Sequence, residues 1–138
     1  MVDRRDVALA GRSAIITGAG WGIGHACSTL FAREGASLTL LDMNQESLQS
    51  TSEVCRNLGA EVAEVVGDVS EIAVIDAAMS AAAEGYGRID ILVNSAVYRV
   101  KRPFPDVTPE EFVRSLMVNV AGYYLMAQRI VPDRKSVV

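Results

Sequence analysis

Thr17-Gly18-Ala19-Gly20-Trp21-Gly22-Ile23-Gly24 follows directly on the apolar run Ser13-Ala14-Ile15-Ile16 and leads into His25-Ala26-Cys27-Ser28-Thr29-Leu30-Phe31-Ala32-Arg33-Glu34. A short apolar run reads as a buried strand, and the segment after the loop reads as a helix. Strand, glycine loop and helix in that order build a site for a phosphate-bearing ligand. Glycines let the backbone turn tightly and approach the ligand closely. The free N–H groups and the positive dipole end of the next helix then face the phosphates.

Around this loop the chain reads as one globular unit. It has 138 residues, of which 50% are hydrophobic and 22% charged, which places it away from disordered chains. Its formal net charge is −4, and its basic residues are scattered (Arg4-Arg5, Arg99 to Arg102, Arg134-Lys135). No basic stripe points to nucleic acid or to an anionic membrane, so neither is expected as a partner. The two cysteines, Cys27 and Cys55, fall in predicted helices and are expected as reduced thiols in a cytoplasmic protein. A single histidine argues against a zinc site, and no metal is expected. The N-terminus has too short an apolar run for a signal peptide, and no run reaches membrane-spanning length.

Strand-like and helix-like segments alternate with short connections, which predicts a mostly parallel sheet covered on both faces. Strands are expected near 12–17, 36–42, 61–67 and 89–94, and helices over about 22–34, 44–58, 70–86 and 108–131. Gly35 and Gly59 sit where helix C-caps belong, and Asn44 and Ser70 where N-caps belong. Thr108-Pro109-Glu110-Glu111 reads as a capping box with proline in the first turn. Residues 97–107, with Pro103 and Pro105, form the one long irregular connection. The expected division is a tail over 1–10 and a nucleotide-binding domain over 11–138. Right-handed crossovers place the first three strands in the order 3-2-1, with the fourth beyond the first.

The strand ends test the glycine loop. The second strand ends in Asp42, 18 residues after Gly24, where an acidic residue would accept hydrogen bonds from a ribose 2′-OH. The third ends in Gly67-Asp68-Val69 and the fourth in Asn94-Ser95-Ala96. Each has a plain structural alternative: Asp42 as helix initiator, Asp68 as turn former, Asn94 as strand terminator. Their joint placement at one sheet edge favours the functional reading. The candidate cofactor-binding residues are Gly18, Gly20, Trp21, Gly22, Ile23, Gly24, Asp42, Met43, Asp68, Val69, Asn94 and Ala96.

With these residues in place, the chain resembles the short-chain dehydrogenase/reductases from about Gly11 to Val131. Thr17-Gly18-x-x-x-Gly22-x-Gly24 is similar to that family's cofactor loop, whereas the literal G-x-G-x-x-G spacing fails at Ile23 and His25. Asp68-Val69 resembles the family's contact to the adenine ring, and Gly87 to Asn94 its fourth strand. Asn119, in Met117-Val118-Asn119-Val120-Ala121-Gly122, matches the family's active-site asparagine and is the catalytic candidate. The resemblance implies a Rossmann-like doubly wound parallel sheet with helices on both faces, here incomplete at the C-terminus. One departure is Asn94-Ser95-Ala96-Val97, where the family usually reads Asn-Asn-Ala-Gly; a side chain then stands where backbone passes close to the cofactor.

The implied chemistry is hydride transfer between a nicotinamide and an alcohol or ketone. The expected cofactor is NAD rather than NADP, because Asp42 would repel a 2′-phosphate while Trp21 and Met43 hold positions often basic in NADP users of the family. The resemblance also implies a serine and a Tyr-x-x-x-Lys pair, and no tyrosine here has lysine four residues on. Arg134-Lys135-Ser136-Val137-Val138 looks like the start of the fifth strand. Residues 1–138 are therefore expected to hold the cofactor half of a truncated enzyme and to transfer hydride negligibly alone. A non-catalytic nucleotide-binding module and a nonfunctional remnant remain open alternatives. The apolar residues distributed around helix 108–131 also predict a homo-oligomer through it.

Overall fold

The computed structural model describes residues 7–133. Four strands, β1 (Ser13–Thr17), β2 (Ser37–Asp42), β3 (Val62–Val66) and β4 (Ile91–Asn94), form one parallel sheet in the order β3-β2-β1-β4. This is the expected order, and each strand lies inside its expected range. The register aligns Thr17 with Leu41 on one side and with Asn94 on the other, and Asp42 with Val66. All four strand ends therefore stand level along one edge.

Helices α1 (Gly22–Arg33), α2 (Gln45–Asn57) and α3 (Ile72–Tyr86) connect the strands, and α4 (Pro109–Leu116) and α5 (Gly122–Ile130) follow β4. Side chains alternate across a strand, so β1 serves two cores. Ala14 and Ile16, with Leu38 and Leu40 of β2, pack on Ala32 of α1 and on Leu48 and Cys55 of α2. Ile15 faces the other way, onto Ile75 and Ala82 of α3 and Met126 and Ile130 of α5. This two-sided burial explains why the strands read as unbroken apolar runs.

Capping follows the sequence in most places. Asn44 Oδ1 accepts from Ser47 N at 2.9 Å, and Thr108 and Glu111 make the reciprocal capping box. The C-caps of α1 and α2 are Glu34 and Leu58, each followed by the expected glycine with positive φ. Ser70 is a correction: the N-cap of α3 is Glu71, because both the amide and the hydroxyl of Ser70 donate to Asp68 Oδ1 at 2.8 Å.

Two further expectations are revised, and the irregular connection over 97–107 is refined. The helix expected over 108–131 is not one α-helix. A π-helical turn, Met117–Ala121, separates α4 from α5, and a 3₁₀ turn, Val131–Asp133, follows. Residues 97–107 contain a 3₁₀ turn at Phe104–Asp106. Residues 7–10, assigned to the tail, pack on the body: Leu9 N donates to Glu34 O at 2.9 Å and Leu9 lies against the first core. Residues 1–6 and the fifth-strand candidate 134–138 lie outside the described residues. Among the described residues, Cys27 and Cys55 are free thiols, no helix is long and apolar enough to cross a membrane, and no cluster of three metal-binding side chains occurs.

Candidate functional site

The level strand ends open onto a cleft of about 520 Å³. The loop after β1 lines it with Gly18, Trp21, Gly22 and Ile23; the end of β2 with Leu41, Asp42 and Met43. The segment after β3 adds Asp68 and Val69, and that after β4 adds Ser95, Ala96, Val97, Tyr98 and Arg99. Arg114 of α4 and Val118 of the π-turn close it. Nine candidates thus meet in one cleft. Gly20, Gly24, Asn94 and Asn119 do not line it.

The glycine loop is folded tightly against its neighbours. A Cβ on Gly24 would lie 2.1 Å from Gly18 O, and one on Gly18 2.7 Å from the Ser95–Ala96 backbone. Gly22 has φ +53° and open space where its Cβ would be. Helix α1 starts from Trp21, which supplies no side-chain cap, and has no acidic residue in its first turn. The first-turn N–H groups thus have no side-chain acceptor, which suits an anionic ligand.

Asp42 completes the loop. Its Oδ2 accepts from Gly20 N and its Oδ1 from Asn44 N, both at 2.9 Å. A carboxylate offers about four lone-pair positions, so two further donors can be accepted. Gly20 therefore acts beneath the cleft by fixing this carboxylate.

The segment after β4 is fixed from both sides. Thr17 Oγ1 accepts from Ser95 N at 3.1 Å and from Ala96 N at 3.2 Å. Tyr123 OH donates to Ala96 O at 2.9 Å. Val97, where the family usually has glycine, is 68% exposed, so its side chain stands at the mouth of the cleft rather than inside the packed backbone. Asn94 turns away from the cleft: its Nδ2 donates to Tyr123 O at 3.4 Å, and its Oδ1 is buried without a partner.

Asp68 is only 8% exposed. Burial pushes its pKa up, but hydrogen bonds from Ser70 and Arg114, with the guanidinium charge, outweigh this and hold it below the usual aspartate value. The Arg114 partnership is one that the sequence reading missed. The two residues are 46 positions apart, so no local pattern in the sequence pairs them.

The family model for short chain dehydrogenase matches residues 12–136. The chain belongs to the short-chain dehydrogenase family. It is 34% identical to an uncharacterized oxidoreductase of Thermotoga maritima over 91% of this chain and 49% of the relative. It is also 34% identical to a sorbitol dehydrogenase of Cereibacter sphaeroides, over 88% of this chain and 46% of the relative. Among solved structures, an NAD+-bound xylitol dehydrogenase superposes with TM-score 0.85 at 31% identity, over 91% of this chain and 49% of that one. The chain spans about half the length of the curated relatives it matches.

Proposed function

We propose that this chain is the nucleotide-binding part of an NAD-dependent oxidoreductase that moves hydride between a nicotinamide and a small alcohol or ketone. The observation that supports this most is the meeting of an uncapped helix N-terminus and a backbone-fixed Asp42 in one cleft. The first turn of α1 would take the pyrophosphate, Asp42 the adenosine ribose hydroxyls, and Asp68-Val69 the adenine. A bound nicotinamide supplies the hydride. Asn119 is proposed as a positioning residue, since its amide engages the protein rather than the cleft. Residues 1–138 contain no Tyr-x-x-x-Lys, so this chain binds and orients, and hydride transfer by it alone is expected to be negligible.

The domain is proposed to start by residue 7, since Leu9 packs on the first core, and to run to 138, with a homo-oligomer through the helical stretch 108–131. Phe112, Val113, Leu116, Val120 and Tyr124 are exposed along that stretch, which supports association. Relatives named for sorbitol, D-threitol and xylitol support a small polar alcohol as substrate class.

Titration with NADH and NADPH, exciting Trp21 and reading energy transfer to the nicotinamide, tests the cofactor assignment. Trp21 is the only tryptophan and lies 74% exposed at the cleft. Saturable NADH binding, much weaker for NADPH, is expected. Binding of neither dinucleotide overturns the proposal.

A further inference from the structure

Four charged side chains line the cleft: Asp42, Asp68, Arg99 and Arg114. Three of them have partners within the chain. Arg114 pairs with Asp68, and Asp42 accepts from Gly20 N and Asn44 N. Arg99 is exposed, and its guanidinium makes no ion pair among the described residues. Six other described arginines each reach a carboxylate. Arg33 also lacks one, but it lies in the last turn of α1 and does not line the cleft. Among the described residues, Arg99 is therefore the free cation of the site.

The segment that carries it is tied to the body on both sides. Ala96 is held by both backbone groups, its N donating to Thr17 Oγ1 and its O accepting from Tyr123 OH. Tyr98 is held by both as well, through the Asn119 amide. Further on, Arg102 Nη2 pairs with Glu111 Oε1 at 3.0 Å. Glu111 Oε2 accepts from Thr108 N, so that carboxylate is fully engaged. Arg99 thus follows directly on an anchored residue and has no carboxylate left to turn to. Arg99, Lys101 and Arg102 together meet only Glu111 among the described residues. In a chain of net charge −4 they make a local positive field beside the cleft, which draws anions.

The dinucleotide reading given above, on which this inference rests, places the nucleoside at Asp42 and Asp68 and the phosphates at the first turn of α1. It leaves the wall after β4 to face the molecule that exchanges hydride with the nicotinamide. A guanidinium without a partner suits a carboxylate or a phosphate there, because its planar fork binds two oxygens of one oxyanion. We propose that Arg99 binds an anionic group of the substrate, so that the alcohol or ketone carries a carboxylate or a phosphate. An uncharged polyol would leave this cation without a counter-charge.

The test loads the whole chain with NADH and follows three small ketones by ligand-observed NMR: acetoacetate, dihydroxyacetone phosphate and uncharged dihydroxyacetone. The wild type is expected to bind one of the anionic ketones about tenfold more tightly than dihydroxyacetone, the order of one charge-assisted hydrogen bond. Preference for acetoacetate assigns a carboxylate and preference for dihydroxyacetone phosphate a phosphate; either supports the proposal. Arg99→Gln should bring that ketone to within about twofold of dihydroxyacetone, while Arg99→Lys, which keeps a cation, retains part of the preference. Because the guanidinium is exposed, raising the salt concentration should shrink the preference in the wild type and leave Arg99→Gln unmoved. Circular dichroism reports whether each variant folds; if Arg99→Gln does not, a wild-type preference that ignores salt overturns the proposal. A wild-type preference in folded Arg99→Gln overturns it too. A tenfold loss of NADH affinity in Arg99→Gln assigns the guanidinium to the cofactor phosphates and likewise overturns it. NADH binding with no preference for an anionic ketone overturns this inference and leaves the cofactor assignment intact. Failure to bind NADH at all overturns both.

Discussion

Asn119 grips residue 98 by both of its backbone groups. Tyr98 N donates to Asn119 Oδ1 at 2.8 Å, and Asn119 Nδ2 donates to Tyr98 O at 3.0 Å and to Ser115 Oγ at 3.1 Å. Asn119 sits within the π-turn Met117–Ala121, so the irregular turn and the loop after β4 are one connected unit. Replacing it by alanine leaves two backbone groups of a half-buried residue unpaired. Asn119→Ala is expected to lower stability by about 1–3 kcal/mol and to weaken NADH binding. Urea midpoints and NADH titration check both, and a variant matching the wild type in both would sink the positioning role.

Much of this site was legible in the sequence for a definite reason. Parallel strands buried on both faces read as apolar runs, so the ends at Thr17, Asp42, Gly67 and Asn94 could be located and their common edge inferred. What stayed hidden depends on contacts across the chain. The π-turn was not visible because the apolar residues around Asn119 run on without a break. Ser70 looked like a helix cap because a serine before a helix usually is one; here Asp68 captures it. Asn94 looked like a cleft residue, yet Tyr123 draws its amide away. Leu9 shows the same limit at the N-terminus, where its packing depends on Glu34.

The glycines of the loop make different demands, which separate substitutions can distinguish. In Gly24→Ala the new Cβ would meet Gly18 O at 2.1 Å and Gly18 C at 2.7 Å, both backbone atoms. The loop must spread, at a cost of about 1–3 kcal/mol or more, and NADH binding should fall sharply. Gly85→Ala is the control: it lies in α3, its φ is not positive and nothing lies within 4 Å of the added Cβ. That change should stabilise by roughly 0.5–1 kcal/mol and leave binding unchanged. Thermal unfolding of the two variants should move in opposite directions.

Asp42 has two separable duties. One oxygen fixes Gly20 and the other Asn44, and the net charge faces the cleft. Asp42→Asn removes the charge but keeps one acceptor, so it should improve NADPH binding with a modest loss for NADH. Asp42→Ala removes both, so NADH binding should also weaken by about tenfold, as loop and ribose contacts go together. The charge term against a 2′-phosphate is on the order of 1 kcal/mol in a solvent-screened cleft, so the NADH:NADPH preference should fall by about fivefold in either variant. An NADH preference that survives both substitutions excludes Asp42 as the selecting residue.

Acid should unfold this chain through two particular carboxylates. Asp68 and Asp90 are both pushed upward by burial, but hydrogen bonds and cations outweigh it, from Ser70 and Arg114 in one case and from Arg88, Ser13 and Arg12 in the other. Both therefore lie below the ordinary aspartate value of 3.8 when folded. A depressed folded value means that the unfolded chain binds the proton more readily. Their stabilisation is thus fully present above that value and is lost as pH falls below it. Asp90 joins Ser13 of β1 to the entry of β4, with Oδ2 accepting from Ser13 N at 2.9 Å, so its protonation loosens the sheet itself. Urea midpoints taken from pH 7 to pH 3 should hold steady and then drop below about pH 4. In the double variant Asp68→Asn, Asp90→Asn the plateau should be lower and the acid decline shallower. A decline as steep as the wild type would assign the acid sensitivity to other carboxylates.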